Sequence, residues 1–335
     1  MNPTTRTYRL TQALLYKPWR FILGALALCT AALTQAQTFP SQPITMLIPY
    51  PPGGSADMLA RPMLAMLQKE LGQPVVLDYK AGAGGTIATG MLARAKPDGY
   101  TILMVLAAHA INSSLYTKLP YDARKDFAPV SMLATLPLLL AGPLTTPFNT
   151  VPELISYGRA NPDKLTFASA GNGNTSHLAG EMFKTATGIK MLHIPYKGTG
   201  PALNDTIAGN VQVIFGSVAA TLQFVKSGRL RALAVTTPQR ISAEPDVPTV
   251  AESGFPSYEV TNWSGLSGPR GLPREIVDRI NREVNEIIKG ADVAKVLAAD
   301  GLSPAGGSAE RFTNIINTEI PRWNRVVKSS GAKID

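Results

Sequence analysis

The stretch Ile44–Asp57, ITMLIPYPPGGSAD, decides how this chain folds. Its apolar run Ile44–Ile48 reads as a strand, which meets two prolines and two glycines and restarts as a helix around Ser55. The N–H groups of a first helical turn have no partner within the helix and carry partial positive charge. Gly53 and Gly54 present no Cβ, so an anion can approach the backbone there. A Gly/Pro corner most often only joins a strand to a helix. Here the chain builds such a corner more than once, and that argues for a binding role.

Downstream, Leu59, Met63, Met66, Leu67 and Leu71 share one helical face, Gly72 stops the helix, and Pro62 is expected to kink it. Val75–Tyr79 reads as a strand, and AGAGGTIATGMLARA from Ala81 makes a second glycine corner. It is no dinucleotide fingerprint, because Ile87 stands where the third glycine belongs. Asp98-Gly99 then turns into a strand, Thr101–Ala107. The order β, α, β, α, β predicts an open α/β sheet whose ligand lies beyond the carboxyl ends of its strands.

Pro129 and Pro137 interrupt the apolar segment Phe127–Leu140, which therefore reads as an extended crossing between two lobes. The alternation resumes with strands at Leu165–Ser169, Met191–Tyr196, Val211–Phe215 and Leu230–Val235, separated by helices. A proline-rich segment, Pro245–Pro256, and an extended one, Tyr258–Leu266, make a second crossing. The rest is mostly helical, with Ile276, Ile280, Val284, Ile287 and Ile288 on one face. It is expected to pack back on the first lobe, giving lobe 1 as 37–138 plus 259–335 and lobe 2 as 139–258. Two crossings make a hinge.

Residues 1–36 carry Arg6, Arg9, Lys17 and Arg20 without an acid, then the short apolar run Phe21–Leu33 and small residues at Thr34-Gln35-Ala36. This is the pattern of a cleaved signal peptide, with the mature start near Gln37. Cys29, the only cysteine of the chain, lies inside it. The mature chain then has no thiol, which excludes disulfides, thiol nucleophiles and cysteine metal sites. Without the leader, 28 basic residues face 23 acidic ones, a net charge near +5. The excess is dispersed and no basic run is interleaved with aromatics, so nucleic acid is not the expected partner.

No serine stands in a nucleophile elbow, and Lys197 precedes its glycines, so no phosphate-binding P-loop forms. His109, His177 and His193 share no metal-ligand spacing, so neither metal nor cofactor is expected. The positive signal is Ser169-Ala170-Gly171-Asn172-Gly173-Asn174-Thr175-Ser176-His177. It follows a strand, opens a helix, and repeats the anion corner of the first lobe. Asp57 is placed to cap N–H groups of the first corner. His193-Ile194-Pro195-Tyr196-Lys197-Gly198-Thr199-Gly200 echoes Leu47-Ile48-Pro49-Tyr50-Pro51-Pro52-Gly53-Gly54.

PYPPGGSAD, AGAGG, KPDGYTIL, SAGNGNTSHLAGE, IPYKGTGPAL, LRALAV and PDVPTVAESG, in this order over nearly the whole mature chain, resemble the Bug-type extracytoplasmic solute receptors of tripartite tricarboxylate transporters. The resemblance implies a type II periplasmic-binding-protein fold, two open α/β lobes joined by a two-segment hinge. It implies a monomer that closes on a small organic carboxylate and delivers it unchanged to integral membrane permease subunits. Backbone amides and hydroxyls, not an arginine, would grip the carboxylate. On that footing Tyr50, Gly53, Gly54, Ser55, Ala56 and Asp57 form the first-lobe loop. Ser169, Gly171, Gly173, Asn174, Thr175 and His177 form the second. Ala107, Ala108, Ser217 and Trp263 are assigned to the far end. Asn174 departs from the hydroxyl residue expected there, and Ala107-Ala108-His109 lacks the serine often found after that strand. A sensory receptor for a membrane signalling partner and a secreted α/β hydrolase are the competing readings.

Overall fold

In a computed structural model, which describes residues 39–299, 301–330 and 332, the apolar run opens the first sheet as β1 (Ile44–Ile48). The expected leader lies outside the described residues. β1 runs parallel between β2 (Val75–Tyr79) and β3 (Thr101–Leu106), and its continuous Val/Ile/Leu-type pattern is that of a strand covered on both faces. Helix α1 (Ser55–Leu71) follows β1 and runs on through Pro62 to a left-handed Gly72 cap. It is continuous where a kink is expected from the sequence. After β2 come a short 3-10 turn and α2 (Thr86–Ala93). β3 ends one residue earlier than its pattern suggests, because Ala107 already has helical dihedrals and begins α3 (Ala108–Leu115).

The proline-interrupted segment is one long strand, β4 (Phe127–Pro143). Its first part pairs antiparallel with β9 (Thr261–Pro269), with register shifts beside Pro129 and Met132, and β9 in turn pairs with β3. From Leu138 onward β4 changes partners, to β7 (Val213–Ser217) on one side and β8 (Leu230–Val235) on the other. The second sheet continues through β5 (Thr166–Ser169) to β6 (Leu192–Pro195), with β5 parallel to both β6 and β7. Helices α4 (Val151–Ala160), α5 (Thr175–Thr187), α6 (Thr199–Ile207) and α7 (Val218–Lys226) connect these strands. β4 thus belongs to both sheets, and β9 returns the chain to the first.

Thr236 ties the changeover together. It is fully buried, its N–H donates to the Leu138 carbonyl at 3.0 Å and its hydroxyl to the Val260 carbonyl at 2.6 Å. The Val260 N–H donates back to the Thr236 carbonyl. The isoleucine face of α8 (Arg274–Lys289) is buried as its spacing predicts and packs on α1 and β4. α9 (Ala291–Ala299) leads to the two-residue strand β10 (Ser303–Pro304), which pairs with β4. The last helix, α10 (Ala309–Ser330), buries Phe312, Ile316 and Trp323 against β4 and α3. Phe167 and Phe215 of the second sheet and Phe183 of α5 are fully buried together, each of which costs about 3–5 kcal/mol to truncate.

Candidate ligand site

Parallel strands aim the helices that follow them the same way, so the carboxyl ends of β1, β5, β6 and β7 bring the starts of α1, α5, α6 and α7 towards one cleft. A cavity of about 30 Å³ lies there. Its walls are the β1–α1 turn (Tyr50, Pro51, Pro52, Gly54, Ser55), the β5–α5 loop (Ala170, Asn174, Ser176), the β6–α6 turn (Gly198 to Pro201) and Ser217. Leu138 of β4 and Asn262 of β9 close it from the changeover side. None of the lining residues is charged.

Electropositive character comes instead from helix ends. The first-turn N–H groups of four helices are grouped around this space, each favouring an anion by about 0.5–2 kcal/mol in a partly buried setting. Hydroxyls add to them. Ser217 Oγ is buried, lines the cavity and has no protein partner, and a polar atom left so is costly until a ligand or water meets it. Asn262 accepts the N–H groups of Ala107 and Trp263 on its Oδ1, which fixes the amide and leaves its NH2 as a donor. Asn174 caps α5, accepting from the N–H and hydroxyl of Ser176. Burial pushes the Tyr50 phenol well above its ordinary pKa, with the Asn174 amide acting the other way, so the phenol is a neutral donor, engaged with the Gly84 carbonyl.

Two further contacts cross the cleft beside the cavity. A Cβ placed on Gly84 would stand 2.6 Å from the Asn172 carbonyl, and one on Gly198 3.0 Å from Pro51 Cδ. The second glycine corner thus serves as a close-approach surface: Gly82, Ala83, Gly84 and Gly85 all have positive φ.

Residues 59–332 match the family model described as "Tripartite tricarboxylate transporter family receptor". The chain belongs to this family. It is 39% identical, over 92% of its length and 93% of the relative's, to "UPF0065 protein in tcbD-tcbE intergenic region" of Pseudomonas sp. strain P51. It is 38% identical to "Protein BugT" of Bordetella pertussis, covering 91% of this chain and 94% of that one. Among solved structures it is similar to "R. palustris Rpa4515 with adipate", with TM-score 0.86 and 36% identity over 88% of this chain and 100% of that one. "MatC (Rpa3494) from Rhodopseudomonas palustris with bound malate" follows at TM-score 0.82 and 32% identity, over 86% and 100%. The receptor is thus a two-lobed periplasmic binding protein, a carrier of solute and not an enzyme.

In this receptor the residues singled out from sequence divide into two groups. Tyr50, Gly54, Ser55, Asn174 and Ser217 line the cavity. The others stand behind the wall or beside it. Asp57 is buried and holds the first loop: Gly53 N–H and Arg61 Nε donate to its Oδ2, each at 2.9 Å, and the Tyr79 hydroxyl to its Oδ1. Burial acts to raise its pKa, but the Arg61, Tyr79 and Gly53 bonds outweigh that and hold it below the usual carboxylate value. Gly53 has the positive φ, +80°, and Gly54 does not, at −86°. Ala56 is buried against the core.

In the second loop Ser169 turns inward, its hydroxyl 2.6 Å from His193 Nε2 and accepting the Gly171 N–H. His177 stacks on His193 with ring centres 4.1 Å apart, and Gly173 N–H points at its Nδ1. Burial lowers the pKa of His177 to about 4, helped by Lys184, and that of His193 to about 3, helped by His177 and Lys184. Both rings are therefore neutral supports. Thr175 is buried and it is Ser176, one position on, that lines the cavity. Gly171 lines a neighbouring outer compartment. Ala107 and Ala108 are buried in the start of α3, and Trp263 packs edge-on against Phe312, away from the far-end role assigned to it.

The residues missed from the site are Pro51, Pro52, Leu138, Ala170, Ser176, Asn262 and the turn Gly198–Pro201. The turn had a readable signal: Pro195–Ala202, PYKGTGPA, repeats the spacing of Pro49–Ala56, PYPPGGSA. Asn262 had none.

Proposed function

We propose that the receptor captures a small organic carboxylate in this cleft and delivers it, chemically unchanged, to the permease subunits of a tripartite tricarboxylate-type transporter. The observation that carries the reading is the meeting of four helix N-termini around a cavity whose walls hold no charged side chain. A cation would be repelled there and a neutral group would gain little, whereas a carboxylate accepts several N–H and O–H bonds at once. Ser55, Thr199, Ser217 and Asn262 supply side-chain donors, and the turn glycines admit the ligand to the backbone. Asp57, Ser169, His177 and His193 hold the two loops in place.

On this reading lobe 1 comprises 37–138 with 259–335, lobe 2 comprises 139–258, and residues 1–36 direct export. A ligand touching both lobes favours the closed arrangement by its differential affinity. Titration calorimetry with a panel of carboxylates and the matching primary amides tests the proposal. Saturable one-to-one binding of a carboxylate, no binding of its amide and no product after long incubation are expected. Turnover, or equal affinity for the amide, would refute it.

A further inference from the structure

Asn172-Gly173 is the only asparagine–glycine pair of the chain, and it lies inside the β5–α5 loop. An asparagine Cγ is within reach of the next residue's amide nitrogen, because closing that bond makes a five-membered succinimide ring. Three things ordinarily hold the reaction back. The following side chain crowds the nitrogen, hydrogen bonds fix the asparagine amide, and the nitrogen keeps its proton.

Each obstacle is lifted here. Gly173 has no side chain and sits at φ +76°, in a turn closed by the Asn174 N–H on the Gly171 carbonyl at 3.2 Å. The Asn172 side chain has no hydrogen-bond partner among the described residues. It is half-buried and lines an outer compartment of about 420 Å³, which gives it room to rotate. The Gly173 N–H points at Nδ1 of His177, 3.4 Å away. Burial lowers the pKa of His177 to about 4, so at neutral pH the ring offers that N–H a lone pair and carries its own proton on Nε2. Stacking on His193, which the Ser169 hydroxyl holds, keeps the imidazole in place.

We propose that Asn172 is a modification site at which the receptor deamidates itself, Gly173 supplying the nucleophilic nitrogen and His177 the acceptor for its proton. The Gly173 nitrogen attacks Cγ of Asn172 as its proton passes to His177 Nδ1. The bond from Cγ to Nδ2 breaks, and Nδ2 takes up that proton and leaves as ammonia. Water then opens the succinimide. Cleavage between Cγ and the Gly173 nitrogen leaves aspartate, and cleavage between the main-chain carbonyl carbon and that nitrogen leaves isoaspartate. Either product puts a negative charge into the loop that leads to the α5 N-terminus, where it competes with an anionic ligand. Isoaspartate also lengthens the main chain by one carbon where the loop meets Gly84. The effect on binding rests on the carboxylate reading of the cleft; the modification does not.

Incubating the mature, ligand-free protein at neutral pH tests the proposal, with peptide mass spectrometry on every asparagine and enzymatic methylation to count isoaspartate. Asn172 is expected to gain one dalton ahead of every other asparagine, with isoaspartate among the products. His177→Phe should slow this about 10-fold, and Asn172→Gln, which would need a six-membered ring, should stay unmodified. Since His177→Phe also disturbs the loop, the wild type unfolded in denaturant is the second comparison. It keeps the Asn-Gly pair but loses the His177 contact, and should react more slowly than the folded protein. An unmodified Asn172, or a reaction as fast in the unfolded chain as in the folded one, would overturn the proposal. Calorimetry with the carboxylate panel reads the consequence separately: Asn172→Asp should bind about 3- to 10-fold more weakly than Asn172→Gln. Equal affinities would overturn the effect on binding. A wild type that binds no carboxylate would overturn the reading of the cleft and leave the mass result standing.

Discussion

Gly84→Ala should break ligand binding without breaking the fold. Gly84 sits at φ +62°, where an alanine costs about 1–2 kcal/mol whether or not the cleft is closed. Its new Cβ would stand 2.6 Å from the Asn172 carbonyl, a distance that carbon and oxygen do not tolerate. That second penalty exists only while the two loops meet. Overpacking of this kind costs about 1–3 kcal/mol, so the closed form loses roughly 2 kcal/mol relative to the open one and affinity falls about 30-fold. Gly72→Ala is the control: it has φ +70° at the end of α1 and nothing within 4 Å of the added carbon. Both variants should lose a similar amount of thermal stability without ligand, a few degrees. Only Gly84→Ala should lose affinity by calorimetry, and scattering should show it less compacted at matched ligand excess. If Gly84→Ala and Gly72→Ala bind equally well, the contact with Asn172 is incidental to closure and the reasoning fails.

Four further outcomes are expected. Gly54→Val should abolish binding with little loss of stability, because φ is −86° and the Cβ meets only the Pro51 carbonyl at 3.5 Å, while its methyls enter a cavity of about 30 Å³; a thermal-shift titration reads both. Ser217→Ala should weaken the ligand about 10-fold, a hydrogen bond of about 1.5 kcal/mol to a charged acceptor, and leave the ligand-free protein as stable or slightly more so, since its hydroxyl has no protein partner. Thr175→Ala, one turn position from the lining Ser176, should bind nearly normally in the same assay. Stability should fall as pH drops from about 6.5 towards 4. Burial lowers His109 to about 4, and burial with neighbouring cations does the same to His177 and lowers His193 to about 3, so the unfolded chain takes up protons first. Melting temperature against pH should be flat above 7 and steep below 6, and His109→Phe should reduce the slope.

Local chemistry made the first part of the site legible. The β1–α1 corner, the Ser169–His177 loop and the alternation of strands and helices depend on neighbours in sequence, where glycine, proline and capping rules act. Through its motifs the sequence also pointed to the receptor family. Side-chain direction at the corners was not legible. Thr175 and Ser176 differ by a helical rotation that only the packing of α5 sets, and Ser169 reads as a ligand hydroxyl until β6 places His193 beside it. Leu138 and Asn262 reach the cavity because β4 changes sheets and β9 pairs with both β3 and β4, pairings between distant parts of the chain. Such contacts are fixed by burying both faces of two sheets, a condition on the whole fold that no single segment carries.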